Sequence, residues 1–246
     1  MEIELWQLAI YFFLVALVYS SAGFGGGSSY LAILALTAIP FVEIRMLALL
    51  CNIAVVAGSV YLTWRNNLLD IRRVLPLVFF SIPCAYIAGT LRIEEDLFFV
   101  ILGITLIIAA LLMLIPKFAR DESVEMRQSY LTTGIMGGCI GFLSGLVGIG
   151  GGIFLSPLLY LTGWGPAKAI AATTAFFILA NSLAGLTGQI YTYGWSLSIT
   201  TVMMLLAAVI LGGQLGIRLT LNRLSPIMIK RVTAALIVIV AIRLLS

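Results

Sequence analysis

Ten stretches of nearly unbroken apolar sequence divide this chain, and a soluble fold has nowhere to bury them. They fall at about 5–22, 28–39, 45–63, 74–91 and 97–116, then at about 130–147, 153–162, 169–190, 196–217 and 227–245. A helix crosses a membrane with roughly 20 apolar residues, because the hydrocarbon core is about 30 Å thick and each residue rises about 1.5 Å. The 246 residues are 62% hydrophobic and 10% charged, with a mean hydropathy of +1.16, so most of this surface must face lipid or neighbouring helices. The longest polar stretch, Lys117 to Gln128, has the length of a linker, which leaves no room for a soluble catalytic domain. The acidic start Met1-Glu2-Ile3-Glu4 lacks the basic flank of a secretory signal, so the first run reads as a retained helix.

The ten runs read as one five-run unit written twice. Gly23-Phe24-Gly25-Gly26-Gly27 and Gly148-Ile149-Gly150-Gly151-Gly152 share the pattern Gly-x-Gly-Gly-Gly and stand at the same place in each set. Asn52 and Asn181 occupy similar places in the third runs, with the spacing lengthened by about one helical turn. An odd number of runs per unit makes the second copy enter from the opposite side. The expected fold is therefore all-α: a polytopic transmembrane helical bundle, an inverted-topology duplicated repeat with glycine-broken half-helices. Its expected divisions are 1–116 for the first repeat, 117–128 for a cytoplasmic linker and 129–246 for the second.

Cytoplasmic loops collect Lys and Arg. Placing 64–73 inside gathers Arg65, Arg72, Arg73, Lys117, Arg120, Arg127, Lys168, Arg218, Arg223, Lys230 and Arg231 there, and leaves Arg45, Arg92 and Arg243 outside. Both termini then lie outside a cytoplasmic membrane. Trp6, Trp64, Trp164 and Trp195 stand at run ends, as interfacial anchors do.

The second run of each set has only 10 to 12 residues, reaching roughly half the bilayer. Each follows a glycine cluster that lets the backbone leave helical geometry. Such breaks survive in a membrane only where protein or a wet cavity satisfies them. Two half-helices starting near the midplane would turn free N–H groups and positive dipole ends on one point, an anion site with no formal charge. The residues expected to line it are Gly25, Gly26, Gly27, Ser28, Ser29 and Asn52 from the first copy, and Gly150, Gly151, Gly152, Thr173, Thr174 and Asn181 from the second. Ser20, Ser21, Ser144 and Ser156 stand nearby. Close helix packing is the competing reading, and Gly137, Gly141 and Gly145, with Gly212 and Gly216, have the spacing for it. Three consecutive glycines ahead of a half-length helix favour the site.

The residues that are missing also constrain function. The chain has no histidine and no acid after Glu125, which removes histidine-based hydrolysis and a histidine metal site. Its acids fall at run ends or in linkers, unlike the buried carboxylates of a cation carrier. Cys51, Cys84 and Cys139 are isolated in apolar runs and read as small buried hydrophobes. No enzyme activity, cofactor, metal or nucleic-acid partner is expected; the lipid bilayer and a small anion are. Homo-oligomerisation is left open. Arg45 and Lys168 open the full-length helices that follow the half-helices, as anion-collecting residues at two mouths or as interfacial snorkelling residues.

At these motifs the sequence resembles the sulfite exporter TauE/SafE family of membrane transporters. The resemblance rests on Gly141 to Pro157, reading GFLSGLVGIGGGIFLSP, on the more degenerate Ser21 to Gly27, reading SAGFGGG, on Lys168 to Gly188, and on Gly212 to Gly216. It implies a substrate class: sulfite, another sulfur oxyanion or a small organosulfonate. The paired half-helices of the inverted repeat point to a carrier, with an anion channel or facilitator, or a non-transport membrane scaffold, as the alternatives. Alternating access about the paired half-helices is the expected mechanism.

Overall fold

The computed structural model describes residues 4–21, 23–114 and 129–222. The 117–128 linker and the tenth run, 227–245, lie outside them. Among the described residues there are nine helices and no strands: α1 (Leu5–Ser21), α2 (Gly27–Leu34), α3 (Phe41–Arg65), α4 (Ile71–Thr90), α5 (Glu95–Leu114), α6 (Tyr130–Val147), α7 (Gly152–Leu161), α8 (Ala167–Tyr193) and α9 (Ile199–Asn222). Five of these, α3, α4, α6, α8 and α9, are long and apolar enough to cross a membrane. The chain is thus a polytopic helical membrane protein, the architecture that satisfies every backbone group within the segment itself. Helices α2 and α7, with 8 and 10 residues, reach about 12 and 15 Å, as the short second runs predict.

Helix boundaries follow local chemistry. Pro40 and Pro166 are the N-caps of α3 and α8, where a missing N–H costs nothing. Asp70 caps α4 by accepting from the Arg72 and Arg73 amides at 3.1 and 3.3 Å.

Glycines set the packing. On α6, Gly137, Gly141 and Gly145 lie against the backbone of Leu77, Ser81 and Ala85 on α4; on α9, Gly212 and Gly216 lie against Phe13 and Leu17 of α1. The packing reading of these two ladders therefore holds. Both registers ascend together, so α4 runs parallel to α6 and α1 parallel to α9. Thr192 Oγ1 donates to Thr90 O at 3.2 Å and Tyr193 Oη donates to Leu91 O at 3.5 Å, which lays α8 beside α4 in the same direction. The most extensive contacts thus join the two halves of the chain, α1 to α9 and α4 to α6 and α8, with α3 against α8 between them.

Outward faces are apolar: Phe79 and Ile87 on α4, Leu131 and Ile135 on α6, and Met203 and Leu211 on α9 are exposed, as lipid contact requires. Trp6, Trp64 and Trp195 are exposed at helix ends. Trp164 instead pairs with α4: Arg73 Nη1 donates to its carbonyl at 3.2 Å and the guanidinium lies 5.8 Å from its ring centre. That contact holds the start of α4 against the connection into α8.

A Cβ at Gly141 would lie 2.6 Å from Ser81 Cβ, whereas at Gly138 the nearest atom would be Cys84 Sγ at 3.5 Å. Gly141→Ala is expected to lower stability by about 1–3 kcal/mol through overpacking, and Gly138→Ala to be tolerated. Thermal unfolding of the two purified variants in detergent checks the contrast.

Candidate functional site

The two glycine clusters are true breaks between helices, held in a backbone that glycine alone adopts readily. In the first, Gly26 has φ of 90° and is the N-cap of α2. In the second, Gly148, Gly150 and Gly151 have φ of 84°, 84° and 81°, and Gly151 is the N-cap of α7. Left-handed geometry at these points is what makes the sequence Gly-x-Gly-Gly-Gly rather than merely small.

The breaks are buried and meet at one side chain. Asn52, fully buried on α3, donates from Nδ2 to the carbonyl of Ile149 at 2.8 Å. Gly25 and Gly27 of the first break and Gly150 of the second all face the Asn52 amide, and a Cβ on Gly27 would also lie 2.6 Å from Ile149 O. One amide side chain thus stitches the two interruptions together, leaving its Oδ1 buried without a partner.

Both short helices begin beside this junction. In α2 the Tyr30 amide donates to Gly26 O at 3.0 Å, so Gly27, Ser28 and Ser29 carry the first-turn amides that have no intrahelical acceptor. In α7 the Phe154 and Leu155 amides share Gly151 O at 3.2 and 3.1 Å, which leaves Gly152 and Ile153 in that position. Positive partial charge therefore accumulates on both sides of Asn52.

Hydroxyls complete the surroundings unevenly. A Cβ on Gly150 would lie 2.8 Å from Ser182 Oγ, one on Gly152 3.0 Å from Thr174 Cγ2, and one on Gly151 3.1 Å from Ser144 Cβ. The hydroxyls of Ser182, Thr174 and Ser144 are buried without partners. Ser29 is committed elsewhere, donating to Tyr19 Oη at 2.8 Å, and Ser20 donates to Gly213 O at 2.8 Å. Ser28, Ser156 and Thr173 are buried, with Thr174 rather than Thr173 packed on Gly152. The side chain of Ser21 lies outside the described residues.

Two expectations change. Asn181 is not the counterpart of Asn52 at the junction: its Nδ2 donates to Phe177 O of its own helix at 2.8 Å, and the residue facing Gly152 is Ile178. The helices start at Pro40 and Pro166, and counting from these prolines sets Ile178 against Asn52. The match of two asparagines conceals that register. Ser182, one turn beyond Ile178, is the residue that sequence reasoning missed, and the proline register is the signal that leads to it.

Arg45 is neither snorkelling nor at an open mouth. It is completely buried, because α3 begins four residues before it, at Phe41. Its Nη2 donates to Gly145 O at 3.3 Å, and the guanidinium stands 5.8 Å from the Phe98 ring centre. Lys168, by contrast, is exposed, so the two do not form a matched pair.

Comparison with known proteins agrees with this architecture. The family model described as sulfite exporter TauE/SafE matches residues 8–244. A protein of Sinorhizobium fredii, named as a probable membrane transporter, is 31% identical over the full length of both chains. One of Methanocaldococcus jannaschii, named likewise, is 32% identical over 59% of this chain and 57% of its own length. No solved structure matches. With the match spanning nearly every residue of the described helices and both glycine breaks, the chain belongs to the sulfite exporter TauE/SafE family of membrane transporters.

Proposed function

We propose that this transporter carries a small anion, namely sulfite, another sulfur oxyanion or a small organosulfonate, by alternating access, and that the anion is held where the two glycine breaks meet. The observation that carries the reading is the Asn52 junction, where two helix N-termini begin beside one buried amide and three residues with unpartnered hydroxyls pack on the second break. First-turn amides, the second Nδ2 hydrogen of Asn52 and the hydroxyls of Ser182 and Thr174 are all donors suited to oxyanion oxygens. Asn52 Oδ1 is an acceptor, suited to an anion that brings its own proton.

The duplicated, inverted arrangement supports the mechanism. Each break packs on the long helix of the other half, Gly23 on Ala171 of α8 and Gly148 on Arg45 of α3. Rocking one half therefore moves the opposite break and can part the junction towards either side. In this conformation the breaks touch through Asn52 and Ile149, which disfavours a permanently open channel. The end of the bundle where Arg73 grips Trp164 also carries Lys168, Arg65 and Arg72, which supports assigning that end to the cytoplasm.

Sulfite flux into proteoliposomes should saturate with concentration; flux that rises linearly to high concentration would identify a channel instead. Asn52→Ala is expected to cut flux by about tenfold or more, as the loss of a buried polar partner worth roughly 1–3 kcal/mol. Asn181→Ala should keep most of it, because that amide serves its own helix. Flux equal in the two variants would remove Asn52 from the site.

A further inference from the structure

Among the described residues Arg45 is the one charged side chain in the buried interior. A guanidinium has five N–H donors and does not shed its charge in proteins. Here it makes one long bond to a neutral carbonyl and faces one aromatic ring, with Nε and Nη1 buried and unpartnered. The Tyr193 hydroxyl, at the end of α8, also lies within hydrogen-bonding reach of it. The nearest acids in sequence do not neutralise it: Glu43 is half-buried on the same helix, and Glu94, Glu95 and Asp96, just ahead of Phe98, are exposed. Removing an ion from water costs several kcal/mol, and these neutral contacts offset little of it.

The fold itself does not ask for this charge. Gly148, the first glycine of the second break, packs on Arg45, where a Cβ would meet Arg45 Cβ at 3.4 Å; Gly23, the first glycine of the other break, packs on Ala171. Arg45 and Ala171 are each the fifth residue of their helix. A methyl group fills the place on one side, so the guanidinium on the other is an addition to the packing.

Its position points along the proposed path. Arg45 and Asn52 share one face of α3, about 10 Å apart along the axis. The second break lies along that face, with Gly148 on Arg45 and Ile149 and Gly150 on Asn52. Resting on the transport reading above, we propose that Arg45 is a substrate-binding residue: its guanidinium fork holds two oxygens of a singly charged oxyanion one step from the Asn52 junction. The site would prefer sulfite, sulfonates and other oxyanions to a halide, because the planar fork matches paired oxygens and not a sphere.

The test is calorimetric titration of sulfite, methanesulfonate and chloride into purified wild type, Arg45→Lys, Arg45→Gln and, as an exposed control, Arg218→Gln. Wild type should prefer both oxyanions to chloride. Arg45→Gln should bind sulfite at least about tenfold more weakly, the loss of a charge-assisted pair, while Arg218→Gln matches wild type. Arg45→Lys should restore part of the affinity but lose the preference for methanesulfonate over chloride. A folded Arg45→Gln with wild-type sulfite affinity, whatever its thermal stability, would overturn the proposal. Should the glutamine variant fail to fold, the lysine variant decides, and wild-type affinity with intact oxyanion preference there would overturn it. A wild type that binds none of the three anions would sink the transport reading itself, and this inference with it.

Discussion

A buried hydrogen bond from Asn52 Nδ2 to the carbonyl of Ile149 joins two broken helices inside one bundle. Non-helical backbone in a membrane persists only where protein satisfies it. Each break here is lined by the other and by the long helix of the opposite half. Interlocking follows from the same demand. The first break rests on Ala171 of α8 as well as on Asn52 of α3, and the second on Arg45 and Asn52 of α3 as well as on Ile178 of α8, so each interruption is closed by both halves, and the widest contacts of the bundle cross between halves.

That dependence explains the division of labour among the glycines. Those at Gly137, Gly141 and Gly145 sit in unbroken helix and allow backbone-to-backbone approach, which is a packing role. Gly148, Gly150 and Gly151 have left-handed φ and allow a change of direction. The sequence from Gly137 to Gly152 thus carries two different uses of one residue type, separated where α6 ends at Val147. Spacing distinguishes them: a four-residue ladder keeps one helix face, whereas consecutive glycines cannot lie on one face at all.

Much of this was legible without coordinates. Hydropathy located nine of the runs as helices, and the glycine clusters marked the breaks, because positive φ leaves few other residues to choose. Two features resisted reading. Matching Asn52 to Asn181 by residue type gave the wrong neighbour, since three-dimensional equivalence follows the helix starts at Pro40 and Pro166. The sequence sets Arg45 at the opening of a full-length helix, as a mouth residue or a snorkelling one, because its charge interrupts the apolar run. Yet α3 begins earlier, at Phe41, and the extra turn carries the charge into the interior. A hydropathy profile marks where charge stops being scarce. It does not mark where a helix begins.

The unequal furnishing of the two breaks bears on how such a bundle works. Backbone and glycines are nearly the same in both, yet α3 offers Arg45 and Asn52 where α8 offers Ala171 and Ile178. Two matched backbones give two similar packings of one chain, and hence two conformers close in free energy. If the lining were equally matched, an anion would interact alike with both conformers and shift neither, since a ligand moves an equilibrium only through differential affinity. Arg45 and Asn52 on α3, matched only by Ala171 and Ile178 on α8, would break that degeneracy. Under the alternating access proposed above, the second break sliding along α3 would bring an anion into or out of contact with Arg45 and Asn52 together, and the substrate itself would bias which conformer prevails.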